Sequence, residues 1–275
     1  MDQELLKDAL AVAKKAAHAG GEILRERWNQ RHQVTYKGRR DLVTEADRLS
    51  EARVIGVLRE AFPQIPIVSE EAGVVGGDAP YCWHVDPLDG TTNFAHGLRL
   101  FNVSIALAAG DRVLVGVVYD PMGEEEFTAV RGQGAWLNGQ MIHVSDTRSL
   151  EQSLLVTGFP YDIGESAENN LDNFANFSRR VQGVRRLGSA ALDLCYVACG
   201  HFDGYWEMKL HSWDMAAGLL LVEEAGGRIS RWDGSPMRLD RGELVASNGI
   251  LHPAMLEVLA IGGRPRHPQE AEPED

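Results

Sequence analysis

The run Asp86-Pro87-Leu88-Asp89-Gly90-Thr91 has the residue types needed to hold a hard divalent cation beside a phosphate. An apolar segment delivers Asp86 to its end, Pro87 stiffens the turn, and Asp89 follows closely enough to share a centre with Asp86. Gly90 permits a tight backbone path, and Thr91 can open a helix whose outward N–H groups suit a phosphate. Mg²⁺ takes one or two carboxylates and completes its shell with waters and substrate phosphate oxygens. Taken alone, the run is equally a turn, because Asp-Pro and Asp-Gly form turns in many settings.

Two further acidic positions bear on that choice. Ser69-Glu70-Glu71 ends the preceding extended segment, where a carboxylate by itself reads as a solvated loop. Strands consecutive in sequence often lie side by side, which could bring Glu70 next to Asp86. Like charges so crowded are unfavourable unless a cation neutralises them. Far downstream, in His211-Ser212-Trp213-Asp214-Met215-Ala216-Ala217-Gly218, Asp214 precedes an apolar helix and reads as its N-cap. One carboxylate oxygen can cap while the other binds metal. Other chemistries find less support: there is no Gly-x-Ser-x-Gly elbow, no Walker loop, and no dinucleotide-type glycine run after a strand. His84 and His96 bracket the acidic run as isolated histidines, and an oxygen-only donor set argues against zinc.

The elements that must position these residues follow from periodicity. Leu5, Ala9, Val12, Ala16 and Ile23 recur at helical spacing and predict an opening helix that ends near Trp28. Residues 29–41 read as a polar loop. Thr44 and Asp47 form a capping-box-like start, with Asp in place of Glu, for a helix presenting Leu49, Ala52, Ile55 and Phe62. Strands are expected at 65–69, 81–85, 103–109 and 113–119, the last two joined by a Gly110-Asp111 hairpin. Asn138-Gly139 signals another tight turn. Helices are expected at 166–181, 189–199 and 215–225, with a late strand at 244–247. Residues 1–148 thus form an N-terminal α+β half with Glu70 and the Asp86–Thr91 run. Residues 149–262 form a C-terminal α/β half with Asp214, and 263–275 read as a disordered tail. The fold class is α/β or α+β, built in layers.

Composition sets outer limits. The chain has 275 residues, 44% hydrophobic and 24% charged, enough for a large domain or two joined halves. A formal net charge of −13 argues against non-specific nucleic-acid binding, though a bound cation can still attract an anionic substrate. Cys82, Cys195 and Cys199 leave one thiol over in any pairing, and the latter two read as small buried hydrophobes. The acidic start is unlike a signal peptide, and the longest apolar run, Met215–Val222, is too short to span a bilayer. A cytoplasmic, reducing setting with no membrane role is the expectation.

In order along the chain, these pieces resemble the inositol monophosphatase family, within the lithium-sensitive phosphatases. Asp86 to Phe94 resembles its first signature and Trp213 to Gly218 its second. Asp41 to Asp47 and the Glu70-Glu71 pair also fall in family order, so the likeness covers roughly residues 5–260. Leu88 stands where Ile is commoner, and Ser189 where Thr is frequent in animal relatives. The resemblance implies a layered αβαβα sandwich, a homodimer, and hydrolysis of small phosphate monoesters with two or three Mg²⁺ ions. It further implies that Glu70, Asp86 and the Leu88 carbonyl hold one ion, that Asp86, Asp89 and Asp214 hold a second, and that Glu70 contacts a third. Gly90 and Thr91 N–H groups would receive phosphate oxygens. Thr91, bonded to Asp47, and Glu70 would orient the attacking water, and the loop bearing Lys37 would close over the site. Arg185, Gly188, Ser189, Ala190 and Glu207 would line the polyol side.

Inositol-1-phosphate is the expected substrate. The alternatives within the superfamily are fructose-1,6-bisphosphate, histidinol phosphate and 3′-phosphoadenosine 5′-phosphate. A protein-binding regulator that keeps the fold is a reading of another class.

Overall fold

The apolar stripe of the first helix, α1 (Gln3–Arg27), buries Leu6, Ala9, Ala13, Ala16, Ala17 and Leu24, as a 3.6-residue period requires. A computed structural model describes residues 3–30, 34–36 and 42–261 of the chain. The expected closing loop with Lys37 and the tail at 263–275 lie outside these. Within the segment read as a loop, β1 (Val34–Tyr36) pairs antiparallel with β2 (Leu42–Thr44). Helix α2 (Glu45–Ala61) starts directly after β2 on the expected capping box. Thr44 N–H donates to Asp47 Oδ2 at 2.8 Å, and Ala46 N–H donates to Thr44 Oγ1 at 3.1 Å.

The first large sheet runs through β3 (Ile67–Ser69), β4 (Gly73–Val75) and β5 (Cys82–Asp89), then, past the short helix α3 (Thr91–Ala95), β6 (Asn102–Ala109) and β7 (Arg112–Asp120). It ends with β8 (Glu125–Val130), β9 (Ala135–Leu137) and β10 (Gln140–Ile142). The strand order is β10-β9-β8-β7-β6-β5-β3-β4. Every pairing is antiparallel except β3 with β5, which are parallel and place Ser69 opposite Val85. The expected hairpins hold, with Asn138 at φ 49° and Gly139 at φ 76° between β9 and β10, the left-handed pair that a two-residue turn favours.

The second half supplies β11 (Leu154–Thr157), α4 (Leu171–Ser178), β12 (Gly183–Arg185), α5 (Ala190–Ala198), β13 (Gly204–Glu207) and α6 (Ser212–Glu224). It closes with β14 (Arg228–Ser230), β15 (Leu244–Ser247) and α7 (His252–Ile261). Its sheet has the order β12-β11-β13-β15-β14 and mixes parallel and antiparallel pairs. The layers stack as α1/α2, first sheet, α5/α6, second sheet, α4/α7, the sandwich that the resemblance implies. Helices α5 and α6 are apolar nearly all round because a sheet covers each side: Leu192, Leu194, Leu220 and Leu221 are fully buried. Among the described residues no helix is long and apolar enough to cross a membrane.

Three expected boundaries move. The helix expected at 166–181 occupies only 171–178. Asn170 sits at φ 67°, with its amide donating to Thr157 Oγ1 and the Gly158 carbonyl at 3.0 and 2.8 Å, and tertiary bonds outweigh local propensity there. Helix α6 begins at Ser212, not 215, so Asp214 lies within its first turn and not at the cap. Strand β5 continues past Asp86 to Asp89 through an irregularity in its register with β6.

Candidate active site

Strand β5 ends in the two carboxylates of the acidic run, because the register irregularity between Asp86 and Asp89 lets both approach one cleft. Asp86 is buried, and its Oδ1 accepts the Leu88 N–H at 3.0 Å. Asp89 Oδ2 accepts three bonds, from Ser189 Oγ at 2.6 Å, Ala191 N–H at 2.8 Å and Asn102 Nδ2 at 3.0 Å. The parallel pairing of β3 with β5 carries Glu70 alongside, and Glu70 N–H reaches the Val85 carbonyl at 3.3 Å. From the opposite wall, the first turn of α6 presents Asp214, whose Oδ2 accepts His211 N–H at 2.6 Å. His84 braces that junction: its Nδ1 lies 2.8 Å from Ser212 Oγ. Burial pushes its pKa down to about 4, which leaves a neutral ring at pH 7.

Gly90 then turns the chain into α3 at φ 90°. A Cβ there would lie 2.7 Å from the Leu100 carbonyl oxygen, so only glycine fits. Thr91 Oγ1 stands 3.0 Å from Asp47 Oδ1 and 2.9 Å from the Leu88 carbonyl, with one proton to share between them. Asp47 itself is pushed up to about 6 by burial, held back by its bonds from Thr44 and Thr91.

The cleft encloses about 500 Å³ and is lined by Glu70, Asp86, Asp89 and Thr91, with Asp214 presented by α6. Gly188, Ser189, Ala190 and Glu207 line it as well. Burial raises Asp86 well above the usual carboxylate range, and Glu70, Asp89 and Asp214 raise it further by repulsion. Asp214 is raised likewise by burial, against the His211 bond, and by Asp89 and Glu70. Asp89 is raised by burial and restrained by its Ser189 and Asn102 donors. No three His, Cys, Asp or Glu side chains among the described residues close around one point. Like charges facing one another hold apart, and Asp86, Asp89 and Asp214 each spend one oxygen on protein donors. The donor chemistry fits a hard divalent cation: oxygen atoms only, buried at Asp86 and Asp89, half-buried at Glu70 and Asp214, and mutually repelling.

Glu207 also lines the cleft, its carboxylate accepting from Tyr205 Oη. Burial pushes it up to about 7, with Tyr205 and Arg186 opposing. Gly158 leaves room for it, since a Cβ there would overlap the carboxylate. Arg185 does not reach the cleft. It lies exposed at the end of β12 with Nη1 donating to the Val184 carbonyl at 3.2 Å, whereas Arg186 lines the cavity. Local sequence does not distinguish adjacent arginines at a strand end. Nor does it reveal that Asn102 and Ser189 donate to Asp89, since both bonds form between distant segments. Ser50 and Glu51, three and four residues beyond Asp47 on α2, carry a signal in helical spacing, which places them on Asp47's face.

The model of the inositol monophosphatase family matches residues 5–262. Over 257 residues the chain is 47% identical to an inositol-1-monophosphatase of Synechocystis sp., covering 93% of this chain and 90% of that protein. It is 44% identical to a Pseudomonas aeruginosa protein named Nus factor SuhB, with 92% and 96% covered. Among solved structures, the inositol monophosphatase of Anabaena (Nostoc) sp. superposes with a TM-score of 0.86 at 44% identity, covering 93% of this chain and 96% of that one. With a family match over nearly its whole length and the family's layered fold around a carboxylate-lined cleft, the chain belongs to the inositol monophosphatase family and is a phosphoric monoester hydrolase.

Proposed function

We propose that the chain hydrolyses small phosphate monoesters with Mg²⁺, inositol-1-phosphate foremost, by direct attack of water and without a phosphoenzyme. The observation that carries this reading is the meeting of Glu70, Asp86, Asp89 and Asp214 in one cleft, where burial and mutual repulsion raise Asp86 and Asp214 well above the usual range. Glu70, Asp86 and the Leu88 carbonyl would hold one ion, Asp86, Asp89 and Asp214 a second, and Glu70 would contact a third. When bound, Mg²⁺ supplies Lewis-acid charge that stabilises the phosphoryl group in an in-line displacement.

The chain's own residues do the rest. Glu70 and the Thr91 hydroxyl, held by Asp47, orient the water, and the N–H groups of Gly90 and Thr91 receive phosphate oxygens. Gly188, Ser189 and Ala190 shape the wall beside the organic half, and Ser189 also keeps Asp89 aimed. Glu207 and Arg186 supply hydrogen bonds to hydroxyls there, which suits a polyol better than an apolar alcohol. The halves 1–148 and 149–262 would each contribute one side of the cleft in a cytoplasmic homodimer.

The deciding measurement is Mg²⁺-dependent phosphate release from inositol-1-phosphate, fructose-1,6-bisphosphate, histidinol phosphate and 3′-phosphoadenosine 5′-phosphate. Preference for the first supports the assignment, preference for another reassigns the substrate, and no release from any of them sinks the reading. Li⁺ is expected to inhibit, and sedimentation is expected to show a dimer. A second reading, a protein-binding role alongside catalysis, takes support from the name Nus factor SuhB carried by a relative. Capture of a stable partner by an Asp89→Asn variant would establish it.

A further inference from the structure

One face of α2 carries three buried polar side chains, Asp47, Ser50 and Glu51, at 1%, 0% and 7% exposure. Each grips a different piece of the cleft. Asp47 meets Thr91 at the start of α3, and Ser50 Oγ donates to the Pro87 carbonyl within β5 at 2.8 Å. Glu51 reaches the third piece, and a single oxygen does the work. Its Oε1 accepts Ser69 Oγ at 2.5 Å, Ala72 N–H at 2.9 Å and Glu71 N–H at 3.1 Å.

The donors to Glu51 bracket Glu70 on both sides. Residues 70–72 form a three-residue hairpin loop between β3 and β4, closed by Gly73 at φ 68°. That hairpin stands at the edge of the first sheet, with β4 as the edge strand, and Ala72, Gly73 and Val74 are exposed. An exposed edge loop gains fixed geometry from bonds to a buried helix. Besides the pairing of β3 with β5 and with the edge strand β4, the Glu51 carboxylate ties the backbone on either side of Glu70 to α2. The Pro87 and Thr91 segments are embedded in buried structure and need less help.

We propose that Glu51 is a positioning residue: by pinning the backbone from Ser69 to Ala72 onto α2, it sets where the Glu70 carboxylate stands relative to Asp86 and tunes divalent-cation binding. This rests on the assignment of Glu70 as a cation ligand made above. The experiment measures Mn²⁺ binding from loss of the free-ion electron paramagnetic resonance signal, alongside kcat, KM and thermal midpoint. The proteins are wild type, Glu51→Ala, Glu51→Gln, Ser69→Ala, Glu70→Gln and the Glu51→Ala/Glu70→Gln double variant.

Glu51→Ala is expected to weaken Mn²⁺ binding about tenfold and to lower kcat while KM stays within about twofold. Glu51→Gln, which keeps the accepting oxygen, recovers most of the loss. In the Glu70→Gln background, adding Glu51→Ala changes binding by less than about twofold, because the effect runs through Glu70. The same factor in both backgrounds overturns the proposal, as does wild-type Mn²⁺ binding by Glu51→Ala. Should Glu51→Ala fail to fold, Ser69→Ala removes one donor only, and unchanged Mn²⁺ binding there overturns it as well. Wild-type binding by Glu70→Gln removes the ligand assignment itself; weakened binding by Glu70→Gln with an unaffected Glu51→Ala removes the positioning role alone.

Discussion

Asp86 is buried where Glu70, Asp89 and Asp214 all oppose its charge, so its ionised form destabilises the fold whenever no cation is bound. A carboxyl raised in the folded state contributes stability fully below its ordinary value, and that contribution fades as pH rises. Asp86→Asn is therefore expected to abolish Mg²⁺-dependent phosphate release while raising the thermal midpoint in EDTA, more at pH 8 than at pH 5. Calorimetry at the two pH values checks the sign. Glu207 follows the same rule with a defined window, since burial lifts it from 4.5 to about 7. Its contribution is complete below pH 4.5 and lost as pH rises through 7. A displacement of that size corresponds to about 3 kcal/mol. Glu207→Gln, which still accepts from Tyr205, is expected to flatten the stability profile across that window in denaturant titrations. It is also expected to alter the order of preferred substrates while leaving the Mg²⁺ requirement unchanged.

At the scale of elements, the site depends on how β5 ends. The irregular register between Asp86 and Asp89, the left-handed Gly90 and the immediate start of α3 pack two carboxylates and the Thr91 hydroxyl into one short stretch of chain. Gly90→Ala forces a side chain into a backbone region it disfavours and against the Leu100 carbonyl. The expected loss is about 1–3 kcal/mol of stability. Activity should fall further than stability does, because α3 and Thr91 shift with the turn. Thermal denaturation and kcat measured on the same preparation separate the two effects.

For the whole molecule, the decisive feature is the middle helical layer. Helices α5 and α6 share one core with strands of both sheets, joining Ala106, Val118 and Phe127 to Val156, Tyr205 and Ala246. Gly218 on α6 lets the helices approach so closely that a Cβ would lie 2.5 Å from Leu194 Cβ. Residues of the two sheets therefore share one core in this layer, and the chain is expected to unfold in a single calorimetric transition. Two resolved transitions would show that the halves melt independently.

Much of this protein was legible in its amino-acid order. Local rules sufficed for α1, for the capping box that opens α2, for the β6–β7 and β9–β10 hairpins, and for the acidic residues themselves, because each depends on neighbours within a few positions. The resemblance carried by Asp86–Phe94 and Trp213–Gly218 reached the family and its layered fold. Tertiary structure alone decided that Arg186, and not Arg185, faces the cleft, and that Asn170 shortens α4. It alone showed that Asn102 and Ser189 converge on one oxygen of Asp89, and that Glu51 grips the loop around Glu70. Each of these is a hydrogen bond or a facing between segments far apart in the chain, set by how the layers stack, and no local periodicity records such a meeting.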